Sequence, residues 1–166
     1  MFPLKPLPAE AVEAALERAE HYRLLNEPKL AESICLDVLE SDPNNQQALI
    51  LLLLSRTDQF GGAPGATPEQ ARETLDRVQG EYEKTYYAGL IFERWAKAQL
   101  ERAHPGSGSS TYDGLRQAME WYEKAEALRP AGNDDPLLRW NACARLIMEH
   151  DHIVPAGDDD FHPFLE

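Results

Sequence analysis

The stretch LESDPNNQQALILLLLS (residues 39–55) places a polar turn directly in front of six consecutive large aliphatic residues, Leu49 to Leu54. Asp42 and Pro43 stop the preceding helical pattern, because proline cannot continue a helix. The aliphatic run then presents apolar side chains in every direction. Since a helix that is apolar on all sides is a buried one, the stretch predicts a helix enclosed by neighbouring elements.

Apolar residues recur at helical spacing along most of the rest of the chain. Glycine and proline predict two loops, FGGAPGAT (60–67) and HPGSGSST (104–111). Thr67 and Gln70 form the pattern of a capping box, which marks a helix start. With no alternating strand pattern, the sequence predicts an all-α fold of seven helices, at about residues 8–25, 28–40, 46–59, 67–80, 82–103, 112–129 and 135–149.

Length and charge narrow the class of protein. The 166 residues, 43% of them hydrophobic, fit one domain with a single core. The net charge of −13 argues against binding to nucleic acid or to an anionic membrane surface. The longest apolar run, Ala48 to Leu54, is far short of the roughly 20 residues that span a bilayer, and the N-terminus lacks an export signal, so we expect a cytoplasmic protein. Cys35 and Cys143 lie in apolar helical patterns and are expected to be buried thiols, not a disulfide.

A repeated spacing of small and apolar residues resembles the tetratricopeptide repeat. The first unit carries Ala19, Tyr22, Ala31, Cys35 and Val38 and ends at Pro43. The same spacing in the second helix of a unit returns as Ala71, Leu75, Val78 and as Ala118, Tyr122, Ala125, followed by Pro130. The match is weakest in the middle unit, which has no closing proline, and Arg18 stands where the family places a large apolar residue.

This resemblance implies a right-handed α–α superhelix of about three helix pairs with a C-terminal capping helix. The units would cover residues 12–45, 46–83 and 84–132, the cap 134–149, and an acidic tail 150–166, all but the tail in one domain. The family period is about 34 residues, and the longer spacing here is assigned to the loops and the long third-unit helix. The aliphatic helix would then be the first helix of the middle unit, packed against both neighbours.

The resemblance also implies a concave binding face formed by the first helix of each pair. The positions expected to face a partner are Glu13, Leu16, Glu20 and Leu24 in the first unit, and Gln47, Ile50, Leu54, Thr57 and Asp58 in the second. Leu16 and Glu20 replace the Lys and Asn with which some chaperone-binding members hold a peptide carboxylate, so that activity is not expected here. Each position has an alternative interpretation as a solvated or core residue.

Seven aromatic residues in the second half could be interface anchors or core residues, and helical spacing favours the core. They are Tyr86, Tyr87, Phe92, Trp95, Trp121, Tyr122 and Trp140. Consecutive Tyr86 and Tyr87 point to different faces of one helix, so at least one should leave the core. We assign Tyr86 to the binding face.

Signs of catalysis and of cofactor binding are weak. No Ser, Cys or Thr has a recognisable nucleophile setting, and GGAPGAT lacks the lysine of a phosphate-binding loop. Histidine and aspartate in the tail could bind a metal, although no rigid element fixes their spacing; they are His150, Asp151, His152, Asp158, Asp159, Asp160 and His162. No cofactor is expected.

The sequence therefore predicts a non-catalytic scaffold that binds a peptide segment or helix of a partner protein, and the acidic lining of its face favours a basic segment. Two alternatives stay open. The protein could be a structural one that self-assembles into a homo-oligomer through its end helices or tail. It could also be an enzyme or metal protein that uses the histidines and aspartates of the tail.

Overall fold

The computed structural model describes residues 1–102 and 104–157, and over these residues the chain forms helices and no strand. The all-α prediction is thereby confirmed, with seven α-helices in the described ranges. They are α1 (Val12–Leu24, preceded by a 3-10 turn at Ala9–Ala11), α2 (Pro28–Ser41), α3 (Gln46–Thr57), α4 (Pro68–Arg77), α5 (Glu81–Arg102), α6 (Ser107–Leu128) and α7 (Asp135–Glu149). The chain divides into two compact units, with the boundary between Gly80 and Glu81. We call them unit 1 and unit 2.

Unit 1 packs each of its four helices against the next, and α1 also contacts α3. Its core is aliphatic, with α3 as the central element. Leu49, Leu51 and Leu52 face this core, while Ile50 and Leu54 are half-buried. The predicted burial is confirmed for Leu49, Leu51, Leu52 and Leu53, since α3 packs against α1, α2 and α4, but not for the side that carries Ile50 and Leu54. The core residues are Leu16, Ala19, Cys35, Val38, Leu39, Ala48, Leu49, Leu51, Leu52 and Val78.

Side-chain caps fix where α3 and α4 begin. The Asn45 carboxamide oxygen accepts the Ala48 N–H at 2.9 Å. At α4 the Thr67 hydroxyl accepts the Gln70 N–H at 3.3 Å, and the Gln70 side chain accepts the Thr67 N–H at 3.0 Å. The predicted capping box is confirmed, and it satisfies backbone donors that a helix start leaves without partners.

Unit 2 packs α6 against both α5 and α7. Small residues let α5 and α6 approach closely: a Cβ on Gly89 would lie 2.8 Å from the Tyr122 ring, and one on Gly114 would lie 2.9 Å from the Ala96 methyl. The fully buried Tyr122 ring therefore occupies the space that the missing Gly89 side chain leaves. The core is rich in aromatic residues; its buried members are Tyr86, Ala96, Leu115, Ala118, Met119, Tyr122, Ala125, Cys143 and Ile153.

The prediction of a loop at residues 104–111 is wrong for most of these residues, because α6 already begins at Ser107. Gly106, with φ 81°, turns the chain into the helix. The following turn is covered by the segment after α7, since a Cβ on Gly108 would lie 2.0 Å from the His152 carbonyl oxygen. Ile153 of the same segment is buried in the unit 2 core. This tertiary packing overrides the weak helix propensity of the glycine- and serine-rich sequence.

Two further sequence predictions concern the cysteines and the tail. Cys35 and Cys143 are free, fully buried thiols, each in the core of a different unit. The described part of the tail ends at Gly157, so Asp158 to Glu166 lie outside the described residues. Among the helices that the structure describes, none combines the length and the apolar character needed to cross a membrane.

Candidate binding surface and buried polar network

The four predicted binding residues of α1 divide between surface and core. Glu13, Glu20 and Leu24 are exposed, and the Leu24 side chain is 77% exposed although it is apolar. Leu16 is only 4% exposed and belongs to the unit 1 core. It therefore supports the helix from inside and offers no surface to a partner in this structure.

The predicted residues of α3 and its C-terminus are distributed in a similar way. Gln47 is exposed, Asp58 is exposed as a residue although only 23% of its side chain is, and Ile50 and Leu54 are half-buried. Thr57 is buried, and its hydroxyl donates to the Leu54 carbonyl at 2.9 Å. The surface contribution of α3 thus combines two polar residues at its ends with two partly accessible aliphatic residues between them.

An ion pair joins the two helices at this face. The Arg23 guanidinium Nε lies 2.5 Å from the Asp58 carboxylate, and both side chains are largely shielded from solvent. Glu20 and Leu54 lie one turn before these two residues on their own helices, so all four are neighbours on one surface. Arg23 is a surface residue that the sequence prediction missed. Arg23 lies 34 residues, one family period, before Thr57, which was predicted to face a partner. This spacing is the signal that could have identified Arg23.

Tyr86, the predicted binding residue of unit 2, lies in the core. It is 8% exposed, and its hydroxyl accepts the Arg139 Nε–H at 2.9 Å. Its ring stacks on Tyr82, with centroids 5.8 Å apart. Tyr87, the alternative, is half-buried against the same core. The core interpretation therefore describes Tyr86 and Tyr122 best, and Phe92 and Trp140 also pack against this core.

A buried carboxylate links the three helices of unit 2. Glu93 of α5 is 1% exposed. Its two oxygens accept hydrogen bonds from Lys97 and from the Tyr122 hydroxyl at 2.5 Å, and from Arg139 of α7 at 3.1 and 3.2 Å. The charge is thereby compensated on every side, as a buried charge requires.

The pKa shifts of this network follow from that geometry. Burial alone would raise the pKa of Glu93, but the hydrogen bonds from Lys97 and Tyr122 and the charge of Arg139 outweigh it and lower the pKa below its ordinary value. Burial and the adjacent carboxylate raise the pKa of Tyr122. Burial opposes the charge on Arg139, yet Glu93 raises the Arg139 pKa overall. At neutral pH the network is an ionised carboxylate held by two cations and a neutral phenol.

Perturbed pKa values often mark catalytic groups, but this network has the features of a structural ion pair. Its carboxylate is enclosed and fully hydrogen-bonded, so a substrate would have to displace three protein donors. The cysteines are similarly unsuited to nucleophilic chemistry, because burial raises the pKa of each thiol to about 12. We therefore assign Glu93, Tyr122 and Arg139 to the stability of unit 2.

The candidate metal ligands are only partly described. The His150 and His152 rings lie edge to face with centroids 5.6 Å apart, and His150 Nδ1 lies 3.0 Å from the Leu146 carbonyl oxygen. Over residues 1–102 and 104–157, no group of three metal-ligating side chains comes together. The remaining candidates, Asp158, Asp159, Asp160 and His162, lie outside the described residues.

Comparison with protein-family models, with curated proteins and with solved structures gives no match for this chain. The resemblance to tetratricopeptide repeats therefore stays a prediction from the residue spacing.

Proposed function

We propose that this chain is a non-catalytic protein-interaction module of the tetratricopeptide type. It holds a segment or helix of a partner protein on the first helix of each repeated helix pair. The repeat assignment is supported by helix positions: α1 begins at Val12, α3 at Gln46 and α5 at Glu81, which are 34 and 35 residues apart. The family period is 34 residues. A right-handed superhelix of about three helix pairs, capped by α7, is part of the same proposal.

The observation that carries the proposal is the face shared by α1 and α3. These two helices pack on each other although α2 lies between them in sequence. The face exposes Glu13, Glu20 and Leu24 of α1 and leaves Ile50 and Leu54 of α3 partly accessible. We call it the α1–α3 face. An exposed leucine beside partly buried aliphatic residues is typical of a surface that a partner covers.

The chemistry of this face selects the partner. Asp58 is already paired with Arg23, so the uncompensated charge comes from Glu13 and Glu20, for which the described residues provide no ion-pair partner. A segment with lysine or arginine beside an apolar residue would complement both features. A groove of about 590 Å³ in unit 1 lies elsewhere, lined by residues 4–7, by α2 and by Arg77 of α4. The α1–α3 face thus favours a protein segment over a small substrate.

A capture experiment with matched variants tests this proposal. Leu24→Glu is expected to reduce recovery of a bound partner from native lysate about tenfold, since losing the apolar contact and desolvating a carboxylate against the partner's apolar residue together cost about 1.4 kcal/mol or more. Glu20→Lys should reduce it as well. Leu36→Glu changes an exposed leucine of α2 that lines the other groove, and it should leave recovery unchanged. Equal recovery with Leu24→Glu and wild type would rule out the α1–α3 face.

Ionic strength gives a second readout on the same complex. If Glu13 and Glu20 attract a basic partner, raising the salt concentration should weaken binding, because salt screens exposed charges over a Debye length of about 8 Å at physiological ionic strength. The Glu20→Lys variant should then show a smaller salt dependence than wild type. A partner whose binding is indifferent to salt would exclude the electrostatic part of the proposal.

Self-assembly is a second candidate, favoured by two exposed apolar residues of α7. Leu137 and Met148 lie eleven residues, or three turns, apart and so share one side of the helix. Both are exposed, Met148 at 73%. If this side joins two copies, sedimentation velocity of the full chain should show a dimer that Met148→Glu dissociates. A monomer at high concentration would remove this candidate.

A further inference from the structure

A small groove between α6 and α7 combines carboxylates with an aromatic wall. It has a volume of about 180 Å³ and is lined by Glu123 and Glu126 of α6 and by Leu137, Trp140 and Asn141 of α7. We call it the α6–α7 groove. Small-molecule sites are usually about 300–1,000 Å³, so this groove has room for one side chain and not for a whole cofactor.

The two carboxylates of the groove differ in their partners. Glu126 is paired with Arg129 at 3.4 Å, and Arg129 also donates to the Glu126 carbonyl at 2.9 Å. Glu123 accepts the indole N–H of Trp140 at 2.9 Å, and no ion pair forms on it in the part of the chain that the structure describes. Lys124, the adjacent cation in sequence, lies over the Trp121 ring at 4.6 Å from its centroid. Glu123 is therefore an exposed carboxylate that one hydrogen bond orients and that no cation pairs in the described residues.

The Trp140 indole beside the Glu123 carboxylate determines which cation fits the groove. Its N–H orients the Glu123 carboxylate, so the aromatic ring and the anionic oxygens stand side by side. A guanidinium group can both stack on an aromatic ring and donate two parallel hydrogen bonds to a carboxylate, whereas an ammonium group is a strongly hydrated point charge. The geometry thus favours arginine over lysine.

We propose that the α6–α7 groove is a docking site for an arginine side chain in a segment of a partner protein. Leu137 lines the groove, and Leu128 and Leu138 are exposed elsewhere on the same two helices. A lone carboxylate and an indole beside the apolar Leu137, on helices that expose further leucines, commit the occupant to a peptide with arginine between apolar residues. This site lies in unit 2 and is independent of the α1–α3 face.

Nuclear magnetic resonance with a defined probe tests the proposal. The probe is a blocked pentapeptide that carries one arginine between two leucines, titrated into the full ¹⁵N-labelled chain. The chain has three tryptophans, so the Trp140 indole N–H signal is readily assigned with Trp140→Phe. We expect a saturable shift of this signal. Glu123→Gln should weaken binding about fivefold, the upper range for one exposed ion pair, and Glu126→Gln less than about twofold because Arg129 already occupies that carboxylate.

Peptide variants complete the test. Replacing arginine by neutral citrulline should weaken binding about tenfold, and replacing it by lysine at least about threefold. Blocked arginine amide without leucines should bind more weakly than the pentapeptide. Equal binding of the citrulline peptide, equal effects of the two glutamine variants, or no saturable Trp140 shift would overturn the proposal. If the lysine peptide binds as tightly as the arginine peptide, the selectivity for guanidinium is wrong. If blocked arginine amide binds as tightly as the pentapeptide, the assignment to a protein segment is wrong. Unchanged circular dichroism of both glutamine variants ensures that folding does not explain a loss.

Discussion

The two units reach stability with different interiors. Unit 1 has an aliphatic core arranged around α3, in which leucine, alanine, valine and cysteine exclude water. Unit 2 has an aromatic core, and beside it the carboxylate of Glu93 is bound by Lys97, Tyr122 and Arg139. Aliphatic packing is non-directional and tolerates changes of similar volume. A buried charge network is directional, and it fails when one member is removed.

The stabilities of the two units can be measured separately, because spectroscopic probes differ in which unit they report. All three tryptophans, Trp95, Trp121 and Trp140, belong to unit 2, so tryptophan fluorescence reports unit 2 alone. Far-ultraviolet circular dichroism reports both units. Hydrogen exchange resolved by peptide then shows which helices lose protection.

Leu52→Asp is expected to have the largest effect. Leu52 is 1% exposed in the centre of the aliphatic core, and an aspartate there would bury a charge that none of the surrounding core residues can compensate. We expect a loss of more than about 4 kcal/mol, enough to unfold unit 1. Hydrogen exchange should show lost protection throughout α1–α4, while Leu36→Asp, at an exposed position of α2, should melt like wild type. A wild-type melting curve for Leu52→Asp would disprove the packing described for α3.

Glu93→Ala should destabilise unit 2 by about 2–4 kcal/mol, because it leaves the buried Tyr122 hydroxyl without its acceptor and leaves the partly exposed Arg139 guanidinium with only the Tyr86 hydroxyl. Tryptophan fluorescence should show the loss at lower denaturant concentration than in wild type. The matched control is Glu120→Ala, which removes an exposed carboxylate from α6 of the same unit. If both alanine variants unfold at the wild-type midpoint, the network contributes nothing to stability.

Sequence patterns predicted the aliphatic interior better than the charged one. The run from Leu49 to Leu54 could be assigned to a core without tertiary information, because six consecutive aliphatic residues are rarely exposed together, although Ile50 and Leu54 stay partly accessible. Glu93, between Phe92 and Arg94, has no local feature that distinguishes a buried glutamate from a solvated one. Lys97 lies four residues away on the same helix, but the other two partners, Tyr122 and Arg139, lie 29 and 46 residues away on other helices. Only the packing of α5, α6 and α7 reveals the network.

The start of α6 and the binding face show the same limit. Local propensity predicted a loop at residues 104–111. In the structure most of this stretch belongs to α6, and the segment around His152 and Ile153 packs against it. On α1, helical spacing alone could not separate exposed Glu20 from buried Leu16. The capping box at Thr67 was predictable because its two hydrogen bonds join residues only three apart. A prediction from nearby residues therefore holds where those residues make the contacts themselves, as at Thr67, and fails where distant residues decide the structure, as at the start of α6.

Lowering the pH should destabilise unit 2 through Glu93. The folded-state pKa of Glu93 lies below its ordinary value of 4.5, so the ionised carboxylate contributes stability above the unfolded-state pKa. That contribution is lost as the pH falls below about 4.5 towards the folded-state pKa. Denaturation followed by tryptophan fluorescence should show a steeper loss of unit 2 stability below this pH in wild type than in Glu93→Gln. Parallel pH profiles for the two proteins would contradict the lowered pKa.

The smallest effect is expected at the ion pair between α1 and the end of α3. Asp58→Asn removes the charge that faces Arg23, but this pair lies near the surface of unit 1, with about a fifth of each side chain exposed. Such pairs contribute about 1 kcal/mol or less, and salt reduces the contribution further. Thermal melting should show a small decrease at low salt that disappears at high salt, and the double variant Arg23→Gln with Asp58→Asn should be no less stable than Asp58→Asn alone. A loss as large as that of Glu93→Ala would place a buried, directional charge network in unit 1 as well, and the contrast between the two interiors would no longer hold.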